Sequence, residues 1–142
     1  MHVAVFEGHI EVIRVLCELG ADINTPDNTG ITPVYAAAQE GHVEAIRVLC
    51  ELGADINTVT KKGITPVNAA AYHGHVEAIR TLCELGADIH TPNMNDQTPV
   101  FIAAQEGHVA VIRLLCELGA DILASMASLL FVLRPSLVTR KQ

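Results

Sequence analysis

Tryptophan is absent from this 142-residue chain and aromatic residues make up only 4% of it, although half of its residues are hydrophobic. A core of that composition must come from Ala, Val, Ile, Leu and Cys, which suits slender, closely packed helices better than a large pocket. Basic residues are also scarce. Nine Lys or Arg stand against 16 acids, for a net charge of −7. Nucleic acid is therefore excluded as a default partner, because neutralising phosphates requires clustered basic groups. Residues 1–123 carry all 16 acids and 6 of the basic residues, a balance of −10, while residues 124–142 hold three basic groups and no acid. Such a body attracts partners that carry a basic patch. The start, "MHVAVFEGHIEVIRVL", has no basic leader region, and acids interrupt its apolar residues. The longest apolar tract, "ILASMASLLFVL" at 122–133, is too short and too rich in Ser to span a bilayer as a conventional helix. No membrane insertion and an intracellular location are expected. The length fits one domain with a real core.

What the chain does have is repetition. "GHVEAIRVLCELGADINT" at 41–58 returns at 74–91 as "GHVEAIRTLCELGADIHT", with only Val48/Thr81 and Asn57/His90 differing. Gly8, Gly41, Gly74 and Gly107 are spaced by 33, and so are Cys17, Cys50, Cys83 and Cys116. "GAD" recurs at 20, 53, 86 and 119, and "TPV" at 32, 65 and 98, without an insertion or deletion. A fixed period of this size marks a repeat architecture.

Local chemistry gives each unit its shape. In "TPVYAAAQEG", Thr32 can cap a helix, with Pro33 at its first position where no amide partner is lost. Gly41 can end that helix in a left-handed conformation. "VEAIRVLCEL" follows as a second helix, with Val43, Ile46, Leu49 and Cys50 on one stripe. Glu44, Arg47 and Glu51 share the other face at spacings that predict support within the helix. Gly53 ends this second helix, and "ADINTVTKKG" supplies a hairpin-like finger. One such unit cannot bury its own apolar stripe, so units must stack. Ala36, Ala37 and Ala38 let the first helices approach closely.

The period of 33, the "TPV" openings, "AAxxGH" and "LGADIN" together resemble the ankyrin-repeat family over residues 1 to about 122. The resemblance implies an all-α solenoid of helix-turn-helix units with hairpin-like fingers at one edge and the first helices on the concave side. It also implies a protein–protein interaction scaffold without catalysis. The expected repeat domain is 1–123: a partial repeat at 1–24, then 25–57, 58–90 and 91–123. Departures from the family pattern are specific. The histidine usual after Thr-Pro-Leu survives only as His2, its counterparts being Tyr35, Asn68 and Phe101. Asp96 replaces the finger glycine of Gly30 and Gly63, and Asp is among the few residues that tolerate positive φ. Beyond Ile122 the repeat stops. The 124–142 tail is expected either to dangle or to form an apolar capping helix that Pro135 interrupts. The missing first finger and the lack of polar caps equally fit a piece of a longer array. Uncapped ends favour self-association.

The repeated His9, His42, His75 and His108 and the four cysteines raise the question of metal or redox chemistry. Equivalent positions on stacked helices lie roughly 8–10 Å apart. A disulfide needs Cα atoms within about 7 Å, and zinc needs ligands at roughly 2.0–2.3 Å. Each Cys is therefore expected to be a buried small hydrophobe, and each His to tie neighbouring repeats through backbone hydrogen bonds. No phosphate loop and no nucleophile–base–orienter set is legible. No enzyme activity, cofactor or metal is expected.

If copied positions build the stack, varied positions can recognise a partner. In the fingers these are Asn28, Thr29, Ile31, Lys61, Lys62, Ile64, Met94, Asn95 and Gln97. On the first helices they are Tyr35, Asn68 and Phe101 near the start, with Gln39, Glu40, Tyr72, His73, Gln105 and Glu106 near the end. By resemblance these positions form the contact surface, and Tyr35, Tyr72, Phe101 and Met94 offer the large contact area expected of binding hot spots. "LCELGADIN" further resembles the setting in which ankyrin asparagines are hydroxylated by a 2-oxoglutarate-dependent oxygenase, with Asn24, Asn57 and the matching His90 as acceptors.

Overall fold

The computed structural model describes residues 1–123, and the expected cap or tail at 124–142 lies outside the described residues. Eight helices and no strand occur among them, in four pairs: α1 (His2–Phe6) with α2 (Ile10–Glu18), α3 (Pro33–Glu40) with α4 (Val43–Glu51), α5 (Pro66–His73) with α6 (Val76–Glu84), and α7 (Pro99–Glu106) with α8 (Val109–Glu117). Each first helix packs on the first helix of the next pair, and each second helix on the next second helix. The result is a two-row helical solenoid.

The capping chemistry of the sequence is present in full. The Thr32, Thr65 and Thr98 hydroxyls accept the amides of Tyr35, Asn68 and Phe101, with Pro at the first helical positions. Gly41 closes α3 in a left-handed conformation at φ 72°. The core consists of aligned aliphatic positions: Val34 and Val67, Ala37, Ala70 and Ala103, then Ile13, Ile46 and Ile79, then Leu49, Leu82 and Leu115. Alanines buried on α3 and α5 allow the close approach of these first helices.

The fingers are tight turns, each closed by two backbone bonds: Asp27 N to Ile31 O at 2.9 Å with Gly30 N to Asp27 O, Thr60 N to Ile64 O at 3.0 Å with Gly63 N to Thr60 O, and Asn93 N to Gln97 O at 3.0 Å with Asp96 N to Asn93 O. The first side chain of each turn also accepts amides from inside it. Asp96 takes the left-handed conformation at φ 59° that its glycine counterparts adopt.

Two expectations require correction. The helix-surface charges do not mainly support their own helices. Arg14 reaches Glu51 at 3.5 Å and Arg47 reaches Glu84 at 3.2 Å, both across to the next second helix. Of the ion pairs described, only Arg80–Glu77, at 3.7 Å, lies within one helix. Parallel stacking places an arginine beside the next carboxylate at the reach of its side chain, which competes with the neighbour one turn away. The cysteines are only half-buried, packed against the core edge rather than inside it. All four are free thiols, and burial pushes those of Cys50 and Cys83 upward, with Glu84 adding to the effect at Cys83.

Candidate functional site

Three features of the stack position a surface along the side where first helices and fingers meet. The first is a ladder of imidazoles. His42 Nε2 donates to the Phe6 carbonyl at 2.8 Å, His75 to Gln39 at 3.0 Å and His108 to Tyr72 at 2.9 Å, each 36 residues apart. The second is a set of asparagine clasps. Asn24 Oδ1 accepts Asp55 N at 2.8 Å, and Asn57 Oδ1 accepts Asp88 N at 3.1 Å. The third joins the fingers directly, through Met94 N donating to Lys62 O at 3.2 Å. These links fix the register of the helix ends and finger tips that vary from unit to unit.

Within that register lies a groove of about 360 Å³. Its walls bring together nine of the residues singled out from sequence. Tyr35 and Gln39 come from α3, Asn68, Tyr72 and His73 from α5, and Gln105 from α7, while Ile64, Asn95 and Gln97 come from two fingers. Ala69, Asn93 and Ile102 line it too and were not among the candidates. Asn93 lies in a varied finger, "NMNDQ", which was a usable signal; Ala69 belongs to the copied alanines and gave none. Carboxamides dominate the polar part. Asn93 Nδ2 donates to Gln97 Oε1 at 2.8 Å, and Gln97 Nε2 points to Gln105 Oε1 at 3.5 Å. Two tyrosines supply aromatic surface: Tyr72 is 52% exposed, and burial raises the Tyr35 phenol. Tyr72 meets His73 edge-on at 5.0 Å, and His73 stacks on His75 at 6.0 Å. Among the described residues no Asp, Glu, Lys or Arg lines the groove.

The remaining candidates do not line it. Asn28, Thr29, Lys61, Lys62, Met94 and Glu106 are exposed, and Glu40 is partly so. Ile31 lines a separate hollow with Gln39, next to His2, Val3 and Phe6. Asn68 lines the groove but is buried, and Phe101, expected to offer a large contact area, is buried as well. They are 1% and 5% exposed, so neither offers the area expected of a hot spot. They stand at the third position of α5 and α7, the place that Tyr35 holds in α3, but both side chains are buried where Tyr35 is partly exposed. Asn68 is also without a hydrogen-bond partner at either side-chain polar atom.

Among the described residues no group of three or more His, Cys, Asp or Glu side chains converges to hold a metal ion. The imidazoles and thiols instead run in parallel files, as bonded ties and core-edge packing. No helix among the described residues is long and apolar enough to cross a membrane.

Helix pairs at a period of 33, capped by Thr-Pro and tied by Gly-His, are matched by the family model for ankyrin repeats (3 copies) over residues 1–60 and 53–126. The chain belongs to the ankyrin-repeat family. A search of curated proteins found no match. Ankyrin repeats generally serve as protein–protein interaction modules, so the groove and fingers stand where this ankyrin-repeat chain varies its otherwise uniform surface.

Proposed function

We propose that this ankyrin-repeat protein is a non-catalytic scaffold that holds a protein partner against the groove between its first helices and fingers. The observation that carries this reading is the convergence of varied residues from three first helices and two fingers on one amide-lined, tyrosine-walled groove. Carboxamides both donate and accept, so Gln39, Asn95 and Gln105 suit the backbone of a bound segment. Tyr72 and Met94, exposed at 52% and 75%, supply apolar contact area beside it. The acidic body would draw in a partner with a basic patch at long range, while the uncharged groove makes the close contact.

The test is affinity capture with the parent protein, followed by titration of the captured partner against a Tyr72→Ala/Met94→Ala variant. A loss of about tenfold or more in affinity is expected. Replacement of Glu117 on the opposite row should leave binding intact. Equal affinity for the groove variant would place the contact elsewhere.

A second reading makes the chain a substrate of an asparagine hydroxylase. Asn24 and Asn57 are exposed, which favours access, although both side chains are engaged in clasping the next unit. Mass spectrometry after co-expression with such an enzyme decides it. One added oxygen on either residue supports the reading, and unmodified peptides remove it.

A further inference from the structure

We infer that the groove takes an uncharged segment of its partner through one primary carboxamide, the side chain of a Gln or Asn, lodged between Tyr35 and Tyr72 and paired with the carboxamide of Asn68. This rests on the groove being the binding surface and names what the groove selects.

Asn68 is the anomaly in the wall. It lines the groove at 1% exposure, and neither its Nδ2 nor its Oδ1 has a hydrogen-bond partner. An enclosed polar group left unpaired loses its hydration and regains nothing. Packing does not demand an amide there, because the same place in the neighbouring units is held by Tyr35 and Phe101. A polar pair kept at a cost to stability, in the wall of a groove, is expected where it meets a ligand.

The rest of the lining shows what that ligand carries. Around Asn68 stand the carboxamides of Gln39, Asn93, Asn95, Gln97 and Gln105, two phenols and the imidazole of His73. Amide-to-amide pairing already runs through the wall, from Asn93 to Gln97 and from Gln97 towards Gln105. A carboxylate brought to Asn68 accepts from Nδ2 but offers nothing to Oδ1. It would also be desolvated with no Lys or Arg beside it among the described lining residues. An ammonium fails in the opposite sense, and a hydrocarbon leaves both atoms unpaired. A primary carboxamide carries an N–H and a C=O on one edge, as Asn68 does, so the two join by a pair of opposed hydrogen bonds. A trans peptide group holds its N–H and C=O on opposite edges and completes only one of them. The partner therefore presents a side chain to Asn68, while its main chain runs past the exposed amides of Asn95 and Gln105.

Access to Asn68 runs past Tyr72. The two residues are four apart on α5 and share a face. Tyr72 is half exposed, which leaves its ring free to turn outward and then close over the bound side chain.

The chain has two tyrosines and no tryptophan, and both tyrosines line the groove, so tyrosine fluorescence reports its occupancy. The probes are short, capped, uncharged peptides free of Tyr and Trp. They are selected from a randomised library on the immobilised full chain and titrated singly at about pH 8, where an imidazole is ordinarily neutral. One peptide position should select Gln or Asn, and Glu or Leu in its place should weaken binding about tenfold or more. Asn68→Leu keeps the volume of the side chain, and thermal melts should find it at least as stable as the parent. It should nevertheless erase the preference for Gln over Leu. The side-chain amide resonance of Asn68 should shift with the Gln peptide and not with its Leu counterpart. Peptides that bind without a carboxamide preference, or keep that preference on Asn68→Leu, overturn the inference. Their loss of affinity for the Tyr72→Ala/Met94→Ala variant would then show that the groove still binds. Binding indifferent to both variants removes the groove as the contact surface along with the inference. A library that yields no bound peptide overturns the inference as well.

Discussion

His75 Nε2 donates to the main-chain carbonyl of Gln39 at 3.0 Å, and the same imidazole lies directly over Gly41. A Cβ at Gly41 would stand 2.8 Å from Nδ1 and 2.9 Å from Cγ of that ring. The glycine therefore has two reasons to be there: the left-handed helix end and the space for the tie.

Those two reasons separate experimentally. Gly107 has nearly the same conformation, φ 77° against 72°, yet none of the described residues lies within 4 Å of its would-be Cβ. Gly107→Ala should cost about 1–2 kcal/mol from backbone conformation alone. Gly41→Ala should cost about 1–3 kcal/mol more, because the atoms it meets sit at the root of a hydrogen-bonded ring and have little room to yield. Urea midpoints of the two variants give the comparison, and equal losses would show that the ring moves aside freely.

The imidazole ties predict a second contrast. Replacing His75 by Ala removes the donor and leaves the Gln39 carbonyl unsatisfied in a part-buried position. The expected loss is about 1–3 kcal/mol. His9 occupies the same place in its unit but makes no such bond, so His9→Ala in dilute solution should stay within about 0.5 kcal/mol of the parent. Thermal melts at low protein concentration measure both.

Much of this architecture was legible from local signals. The Thr-Pro starts, the Gly-His breaks and the aliphatic stripe each act within a few residues, and the period of 33 shows that the units must stack. What the sequence did not reveal belongs to contacts between units. Arg47 has carboxylates three residues before it and four after it, yet it pairs with Glu84 on the next helix, which no spacing within one helix discloses. Phe101 stands at a position that varies between repeats and so looked like a recognition residue, but variation also marks positions that pack against differing neighbours. The groove itself was not legible in the sequence: the variation between units points to its tyrosines, glutamines and finger residues one by one, while Ala69, a copied alanine in its wall, carries no such signal.

Asp27 gives a pH prediction confined to the first finger. Its Oδ1 accepts the Thr29 hydroxyl at 2.7 Å, the Thr29 amide at 2.8 Å and the Ile31 amide at 3.0 Å. These bonds favour the ionised form, with the Thr29 hydroxyl the foremost cause, and hold the carboxyl below its ordinary range. A depressed carboxylate contributes its stabilisation above the unfolded value and loses it as pH falls through the folded one. Acidification should therefore release the Thr29 and Ile31 amides first, seen as faster hydrogen exchange there than at the Lys62 and Ile64 amides, which the Thr60 hydroxyl holds without titrating. Asp27→Asn should abolish that acid-dependent difference.

The unpaired carboxamide of Asn68 marks a position that can be improved. His2 occupies the same place in the first unit, and its Nε2 donates to the Ile31 carbonyl at 2.9 Å while that carbonyl also accepts Asp27 N. The carbonyl equivalent to Ile31 in the next finger but one is that of Gln97, which likewise accepts the turn amide from Asn93. Asn68→His should therefore let an imidazole reach Gln97 as His2 reaches Ile31, while removing two buried polar atoms that now have no partner. The adjoining groove gives the larger ring room. A gain of about 1–2 kcal/mol is expected, enough to raise Tm by several degrees. Asn68→Ala separates the two contributions, since it relieves the unpaired amide without adding the bond and so should gain less than the histidine. A Tm for Asn68→His below that of the parent would mean that the Asn68 site does not share the geometry of His2, and that the first helices are spaced differently along the stack.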